Sequence, residues 1–312
     1  MQLTVLAGGV GAARFLDGLV RVVPPNTVTV IGNVADDVEV LGLHVSPDLD
    51  TVLYTLAGMV EPVRGWGIAD DSASALTMVG RLGGPVWFLL SDGDIGLHLV
   101  RTERLRRGEP LSAITSDICA SLGLTIRLLP ATDDELRTMV TTAAGEIDFQ
   151  TFFVRNRHAE DVRSVRYVGA AEARPAPGVL EAIAEADAVI FAPSNPYLSI
   201  DPILAIPGVR ETLVARTGPV AAVSPIIGGR AIKGPADRML LTLAGEASAR
   251  AVAAHYADVL SHILVDSADA SLVPEIEALG VRTRAAETIM RDAEGRAAVA
   301  QEALRLVDML AT

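Results

Sequence analysis

The sequence contains a single cysteine, Cys119, and therefore cannot form a disulfide bond within the chain. Cys119 lies in an apolar, helix-like stretch, where a buried and inert thiol is expected. The five histidines are scattered, with no HExxH motif and no cysteine beside them. This argues against a zinc site, because such sites are built from closely spaced histidine and cysteine ligands.

Aromatic residues, positive charge and long apolar runs are also scarce. Aromatic residues make up 4% of the chain and apolar residues 50%, a composition that suits helices packed on a parallel sheet. The formal net charge of −13 argues against a nucleic-acid partner, which needs a basic surface. No apolar run approaches the roughly 20 residues that span a bilayer, and no basic segment of a signal peptide precedes the first strand. We therefore expect a cytoplasmic protein without a membrane partner.

Strand and helix patterns alternate along most of the chain. The apolar run Leu3–Ala7 predicts a first strand that is buried on both faces. A glycine turn, a helix from about Ala12 to Val22 and a second strand at Thr27–Ile31 follow it. The same rhythm returns at a strand over Ala188–Ala192 and continues to the C-terminal helix. The pattern predicts one α/β domain over residues 1–312, with a Rossmann-like, mainly parallel sheet flanked by helices.

Three local predictions modify this plan. Between about residues 125 and 170, short strand-like pieces separated by polar turns predict a small, mainly β insertion. A helix is predicted from Thr51 to Met59, with Asp48 or Asp50 as its N-cap. The apolar run Val86–Leu90 predicts a strand.

The turn after the first strand, GGVGAAR, is a candidate phosphate site. Glycines between a strand and a helix expose backbone N–H groups at the positive end of the helix, so Gly9, Gly11 and Arg14 are candidate binding residues. The dinucleotide fingerprint G-x-G-x-x-G is incomplete, because Arg14 stands at its third glycine. Asn33 stands where that fingerprint has an acidic residue after the second strand. The alternative is a plain tight turn followed by a solvated Arg14.

Four aspartates follow the second strand in two nearby turns, Asp36, Asp37, Asp48 and Asp50. Clustered carboxylates repel one another unless they are protonated, separated or bridged by a cation. A hard divalent cation prefers such oxygen ligands, so the cluster predicts a metal site. The alternative is helix capping and turn chemistry, which accounts more easily for one of the four than for all of them.

Three further turns carry candidate binding residues. Ser194 and Asn195 follow a buried strand, at the end where α/β folds bind ligands, although an Asx/Pro turn with nothing bound is an equal alternative. Lys233, the one lysine of the chain, lies in a glycine-rich loop that suits an anion. Trp66 in the turn RGWG could supply a stacking wall or merely anchor an exposed loop.

Several motifs, taken together and in order, resemble the 2-phospho-L-lactate transferase family. They are GGVGAARFL, GNVADD, SPDLDTVLYTLAG, RGWG, LSDGDIGLHLVRTERLRRGEPLS, LLPATDD, APSNP and SPIIGG. The resemblance runs from Met1 to about Ala244. It implies a Rossmann-like α/β fold, a homodimer, and transfer of a phospho-acid from a guanosine diphospho-acid to the deazaflavin Fo in coenzyme F-420 biosynthesis. The terminal ribityl hydroxyl of Fo would attack the phosphorus next to the acid, and GMP would leave.

The resemblance also implies roles for the candidate residues. Asp36 and Asp48 would hold Mg²⁺ beside the attacking hydroxyl, with Asp37 and Asp50 as supporting or alternative ligands. One carboxylate of Asp36, Asp48 or Asp50 would accept the hydroxyl proton. Gly9, Gly11 and Arg14 would bind phosphate, Ser194 and Asn195 would bind Fo or the nucleotide, and the Trp66 loop would face the deazaflavin ring. Asn33, Asp37 and Lys233 are also expected among the binding residues.

Two other functions compete with this one. Non-catalytic regulators that bind nucleotide sugars share the glycine turn and the N-x-x-D-D region, but the P-D-L-D-T-V helix start and RGWG favour the transferase. Arg14 and Asn33 disfavour a dinucleotide oxidoreductase. No residue decides among phospholactate, phosphoenolpyruvate and 3-phosphoglycerate as the acid of the donor.

Overall fold

A parallel sheet of seven strands forms the centre of the computed structural model, which describes residues 1–310. Its spatial order, given by chain position, is Arg282–Ala286 (β14), His262–Asp266 (β13), Val220–Val223 (β10), Ala188–Phe191 (β9), Leu3–Ala7 (β1), Val28–Gly32 (β2) and Arg127–Pro130 (β5). Strands β1 and β9 are neighbours, and chain order runs outward from them in opposite directions, as in doubly wound folds. The fold is Rossmann-like, as predicted. Such a reversal opens a crevice at the carboxyl ends of the strands.

Seven short strands complete the β structure. A hairpin of Val38–Val40 (β3) and Leu43–Val45 (β4) follows β2. A separate antiparallel sheet has the order β7-β6-β8, made by Gly145–Asp148, Arg137–Thr142 and Ser164–Val168. Two-residue strands at Ile226–Ile227 (β11) and Arg230–Ala231 (β12) form a small hairpin after β10.

Twelve α-helices occur within residues 1–310. They are α1 Gly9–Val22, α2 Pro47–Leu56, α3 Ser74–Arg81, α4 Asp92–Arg106, α5 Leu111–Ser121, α6 Val179–Glu185, α7 Asp201–Leu204, α8 Val209–Val214, α9 Ala236–Ala244, α10 Ala249–His255, α11 Val273–Glu277 and α12 Ala293–Leu306. No helix in this part of the chain combines the length and the apolar character that crossing a membrane would require.

The two faces of the sheet bury separate apolar cores. Alternate residues of β1 point to opposite faces, so Val5 packs with α1 and α12 while Leu6 packs with the helices and insertion on the other face. Every residue of β1 is buried, which explains why its sequence is apolar apart from Thr4, whose Oγ1 donates to the carbonyl of Ala182. Cys119 on α5 lies in the first of these cores, and burial raises the pKa of its thiol to about 11.

The structure corrects two of the local predictions near the site. Helix α2 begins at Pro47, four residues before the predicted start, with Ser46 at its N-cap. Proline is well suited to the first helical position, since its φ is already helical and its missing N–H is not needed there. Asp48 and Asp50 therefore lie inside the first turn, and neither is the N-cap.

The predicted strand at Val86–Leu90 was wrong. This segment has no strand partner and runs as irregular chain between α3 and α4. An apolar run without a partner strand cannot satisfy its backbone groups in a sheet, and Trp87 and Leu89 remain 36% and 40% exposed.

The limits of the β insertion also differ from the prediction of residues 125–170. Arg127–Pro130 pairs with β2 and belongs to the central sheet. The antiparallel sheet begins only at Arg137 and ends at Val168. Within it, Thr151–Arg155 forms a π-helical turn in place of one of the predicted strand-like pieces.

Candidate active site

A cavity of about 660 Å³ lies at the carboxyl ends of the central strands. Its walls include the turns that follow β1, β9 and β10, which is where an α/β fold brings loops from distant parts of the chain together. Ten of the twelve predicted site residues line it: Gly9, Gly11, Arg14, Asp36, Asp48, Asp50, Trp66, Ser194, Asn195 and Lys233. The other two, Asn33 and Asp37, are buried behind the wall.

Asp36 and Asp48 form a pair of buried carboxylates on this wall. The side-chain amide of Asn33 joins them, since its Nδ2 lies 3.2 Å from Asp36 Oδ1 and 3.0 Å from Asp48 Oδ2. Burial, together with the charges of Asp48 and Asp37, raises the pKa of Asp36 well above its usual range. Burial raises the pKa of Asp48 to about 7. No basic side chain within residues 1–310 forms an ion pair with either carboxylate, so their charges are uncompensated by the protein.

This pair fits a magnesium ion better than it fits a metal held by protein ligands alone. Within residues 1–310 no group of three or more histidine, cysteine, aspartate or glutamate side chains is arranged to hold a metal ion. Mg²⁺ is commonly bound by one or two carboxylates, with water and substrate phosphate completing its shell. Two adjacent carboxylates with raised pKa values, open to a cavity, meet that requirement. A cation there would relieve their repulsion.

Asp50 differs from this pair because its charge is already compensated. Arg101 of α4 binds it with both terminal nitrogens, one of them 3.0 Å from Oδ2, and the backbone N–H of Ser46 lies 3.3 Å from the same oxygen. Arg101 is fully buried. Both carboxylate oxygens of Asp50 thus have partners, which leaves it less available to a metal ion than Asp36 or Asp48.

Asp37 and Asn33 support the wall from behind. Asp37 Oδ2 accepts a hydrogen bond of 2.7 Å from Ser46 Oγ and lies 2.9 Å from His44 Nε2, which ties the β3–β4 hairpin to the start of α2. Asn33 Oδ1 accepts from the backbone of Ala35, which closes the turn that carries Asp36. The predicted binding roles of Asp37 and Asn33 would thus be exerted through Asp36 and Asp48.

The glycine turn is packed against Asp48 of α2 and against Pro193 in the turn after β9. The backbone N–H of Gly9, a residue with φ of 73°, interacts with Asp48 in the sense that lowers its pKa. A Cβ on Gly8 would lie 2.6 Å from Asp48 Oδ2, and a Cβ on Gly11 would lie 2.2 Å from the carbonyl oxygen of Pro193. Gly11 is therefore required where two turns touch, and a side chain there would meet Pro193 before it met a ligand.

Two cations with weak protein pairing lie on the same cavity. Burial, with the charge of Arg296, lowers the pKa of Arg14, which has no ion-pair partner within residues 1–310. Burial, with the charge of Arg14, lowers the pKa of Lys233, whose Nζ donates to the carbonyl of Arg64 over 2.6 Å. Two neighbouring cations whose charged forms are disfavoured are suited to an anionic ligand, which would relieve both.

The side chains of Ser194 and Asn195 are engaged within the protein. Ser194 Oγ donates to the carbonyl of Gly8 over 2.9 Å, joining the turns after β9 and β1. Asn195 Oδ1 accepts from the backbone N–H groups of Tyr197 and Leu198 at 3.0 and 3.3 Å. This is the Asx turn that the sequence left open as an alternative.

An aromatic and apolar wall was only partly predicted. Trp66 lines the cavity, is 40% exposed and carries the guanidinium of Arg64 at 4.9 Å from its ring centroid. The sequence missed the segment Trp87–Leu90, which lines the cavity as irregular chain. It also missed Gln150 of the insertion, whose Nε2 donates to the backbone carbonyl of Asp36 over 2.8 Å. The signal for Trp87–Leu90 was its apolar run, which was assigned to a strand.

Fold and cavity define the class: a Rossmann-like α/β protein whose ligand cavity lies at the ends of its parallel strands. Residues 3–305 match the family described as 2-phospho-L-lactate transferase CofD, and the chain belongs to this family. It is therefore a transferase of coenzyme F-420 biosynthesis.

Several proteins named phosphoenolpyruvate transferase are similar to it over their full length. That of Streptomyces griseus is 45% identical over 314 residues, covering 99% of both chains. That of Thermobifida fusca is 47% identical over 320 residues, covering 98% of both, and that of Mycolicibacterium smegmatis is 38% identical over 322 residues. A solved structure of a UPF0052 family protein from Bacillus halodurans shares the fold, with a TM-score of 0.65 at 19% identity, over 97% of this chain and 99% of that one.

Proposed function

We propose that the protein transfers a phospho-acid from a guanosine diphospho-acid to the terminal ribityl hydroxyl of the deazaflavin Fo and releases GMP. The observation that supports this proposal is one cavity lined by two carboxylates and two cations that have no ion-pair partners in the part of the chain that the structure describes. The carboxylates are Asp36 and Asp48, and the cations are Arg14 and Lys233. The relatives named phosphoenolpyruvate transferase favour phosphoenolpyruvate over phospholactate and 3-phosphoglycerate as the acid.

The reaction requires little covalent help from protein side chains. The hydroxyl oxygen of Fo forms a bond to the phosphorus next to the acid, the bond from that phosphorus to GMP breaks, and the hydroxyl proton passes to a base. Such a transfer depends on in-line positioning and on neutralising the phosphate charge. Mg²⁺, when bound, would supply charge neutralisation at the transferred group.

Each part of the cavity has a role in this proposal. Asp36 and Asp48 hold the metal, and one of them accepts the hydroxyl proton. Asp50, fixed by Arg101, keeps the first turn of α2 in place. Arg14, Lys233 and the N–H groups of the glycine turn bind the phosphates of the donor.

The apolar wall suits the acceptor. The deazaflavin of Fo is a flat tricycle, and aromatic side chains bind flat rings by stacking on their faces. Trp66 and the segment Trp87–Leu90 provide such side chains at the rim of the cavity. We expect Fo to bind there, with its ribityl chain directed toward the carboxylates.

The test is an assay of purified protein with Fo, Mg²⁺ and each of the three guanylylated acids, read by mass spectrometry. We expect phospho-acid addition to Fo and release of GMP, fastest with the phosphoenolpyruvate donor. Asp48→Asn should remove the activity, whereas the matched surface control Asp70→Asn should keep it, because Asp70 is exposed outside the cavity. No product from any donor, together with tight binding of a nucleotide sugar, would replace this proposal with the regulator.

The oligomeric state is a separate proposal. The family resemblance implies a homodimer, and light scattering of the purified protein measures it directly. A mass of twice the 32.7 kDa of one chain is expected.

A further inference from the structure

Helix α4 buries polar side chains and exposes apolar ones, which is the reverse of an ordinary surface helix. Asp94, His98 and Arg101 are 8%, 2% and 0% exposed, whereas Leu99 and Val100 on the same helix are 53% and 54% exposed. Residues separated by three and four positions share one face of a helix, so the polar side chains form a single buried stripe. Burying such groups is costly unless they are paired, and packing alone would favour the reverse arrangement.

Two members of this stripe are explained by contacts within the protein. Asp94 accepts hydrogen bonds from the backbone and side chain of Ser91 in a capping box at the start of α4. Arg101 binds Asp50 on α2. His98 has no comparable role, although like Asp94 it lines the cavity.

The contacts of His98 assign its tautomer. Its Nδ1 lies 3.4 Å from Arg101 Nη1 and 3.7 Å from Asp50 Oδ2. The longer distance exceeds that of a hydrogen bond, and a guanidinium can only donate, so Nδ1 is the acceptor. Burial lowers the pKa of His98, which is the direction that favours a neutral ring. A neutral imidazole with an accepting Nδ1 carries its proton on Nε2.

The proton on Nε2 has no acceptor within residues 1–310. No hydrogen bond from Nε2 joins His98 to another side chain or to the backbone, and the ring is on the cavity wall. Nε2 is not one of the fully buried polar atoms that lack a partner, so it opens on the cavity, where a ligand oxygen can accept its hydrogen bond.

We propose that His98 is a substrate-binding residue whose Nε2–H donates a hydrogen bond to an oxygen of the polyol chain of the acceptor. This inference depends on the proposed acceptor. His98 comes eight residues after Leu90 of the apolar wall, and it contacts the Arg101–Asp50 pair that fixes the helix carrying Asp48. His98, the apolar wall and Asp48 all line the same cavity, so the polyol chain that joins the ring to the reacting hydroxyl lies in the cavity that His98 faces.

The test compares His98 variants by their affinity for Fo and for the guanosine donor. His98→Leu removes the hydrogen-bond donor of the side chain. His98→Gln places an amide N–H near the position of Nε2, and His98→Asn places one near the position of Nδ1. We expect Fo binding to weaken about 2- to 13-fold in His98→Leu and in His98→Asn, the range for one neutral hydrogen bond, and to stay near wild type in His98→Gln. GDP affinity should be unchanged in all three, and Leu99→Ala on the exposed face is the matched control.

The outcomes separate this inference from the proposed function. Absence of Fo binding by the wild-type protein removes the proposed function and this inference with it. Normal Fo binding by the wild type and an equal affinity in His98→Leu overturn the role of His98 alone, as does an equal loss of Fo and GDP affinity. If His98→Leu does not fold, the comparison of the Gln and Asn variants decides. Nitrogen-15 NMR of the labelled ring should show a protonated Nε2, and a protonated Nδ1 would contradict the assignment.

Discussion

Replacing Arg101 with methionine should destabilise the fold far more than the loss of a surface charge. Arg101 is fully buried, and both of its terminal nitrogens bind Asp50, which is 4% exposed. The substitution leaves the carboxylate of Asp50 buried without a countercharge. Removing one partner of a buried ion pair costs about 3–5 kcal/mol.

The same reasoning predicts a recovery in the double variant. In Asp50→Leu/Arg101→Met both charges are replaced by apolar side chains of similar size, and such replacements are about neutral in free energy. Each single variant should therefore be less stable than the double variant. Loss of about 3–5 kcal/mol corresponds to a fall in melting temperature of roughly 5–8 °C in a chain of this size.

Urea unfolding and calorimetry of the wild type, the two single variants and the double variant measure this coupling. The surface pair of Arg166 and Glu146 is the matched control, because its side chains are 61% and 38% exposed and its loss should cost about 0–1 kcal/mol. A loss below about 1 kcal/mol in Arg101→Met, or a double variant less stable than both single variants, would refute the reasoning.

Four further predictions follow from the cavity. Asp36→Asn and Asp48→Asn should each abolish transfer without lowering the melting temperature, and EDTA should abolish transfer by the native protein. Metal-free turnover in both variants would contradict the metal role. Arg14→Gln should weaken donor binding roughly 10- to 150-fold, as expected for one charge-assisted hydrogen bond, with Fo binding unchanged; Arg21→Gln, at a side chain 51% exposed on the same helix, is the control and should bind the donor normally. Gly11→Ala should lower stability by about 1–3 kcal/mol, because its Cβ would lie 2.2 Å from the Pro193 carbonyl; unchanged unfolding in urea would show that the two turns separate easily. In EDTA, the free energy of unfolding should fall as pH rises from about 4 to above 7, because the raised pKa values of Asp36 and Asp48 make the folded state hold more protons than the unfolded state. Asp48→Asn should flatten this dependence. A free energy of unfolding that rises over the same pH range would contradict the pKa shifts.

Much of the fold could be predicted from the sequence, because its signals are local. A mainly apolar run such as Leu3–Ala7 specifies a strand buried on both faces, whatever lies beside it. The glycine turn and the four aspartates could likewise be placed at strand ends, since the order of strand, turn and helix determines which end they occupy. The ordered motifs were enough to identify the family.

What the tertiary structure decided depends on groups far apart in the chain. Asp50 and Arg101 are 51 residues apart in the chain. The sequence around each aspartate therefore does not show that Asp50 has an ion-pair partner whereas Asp36 and Asp48 lack one. Gly11 requires its glycine because Pro193 touches it, and the apolar run Val86–Leu90 is no strand because no other strand pairs with it. Pattern and spacing determine which residues reach the cavity. Only packing determines the charge, the partner and the tautomer that each residue has there.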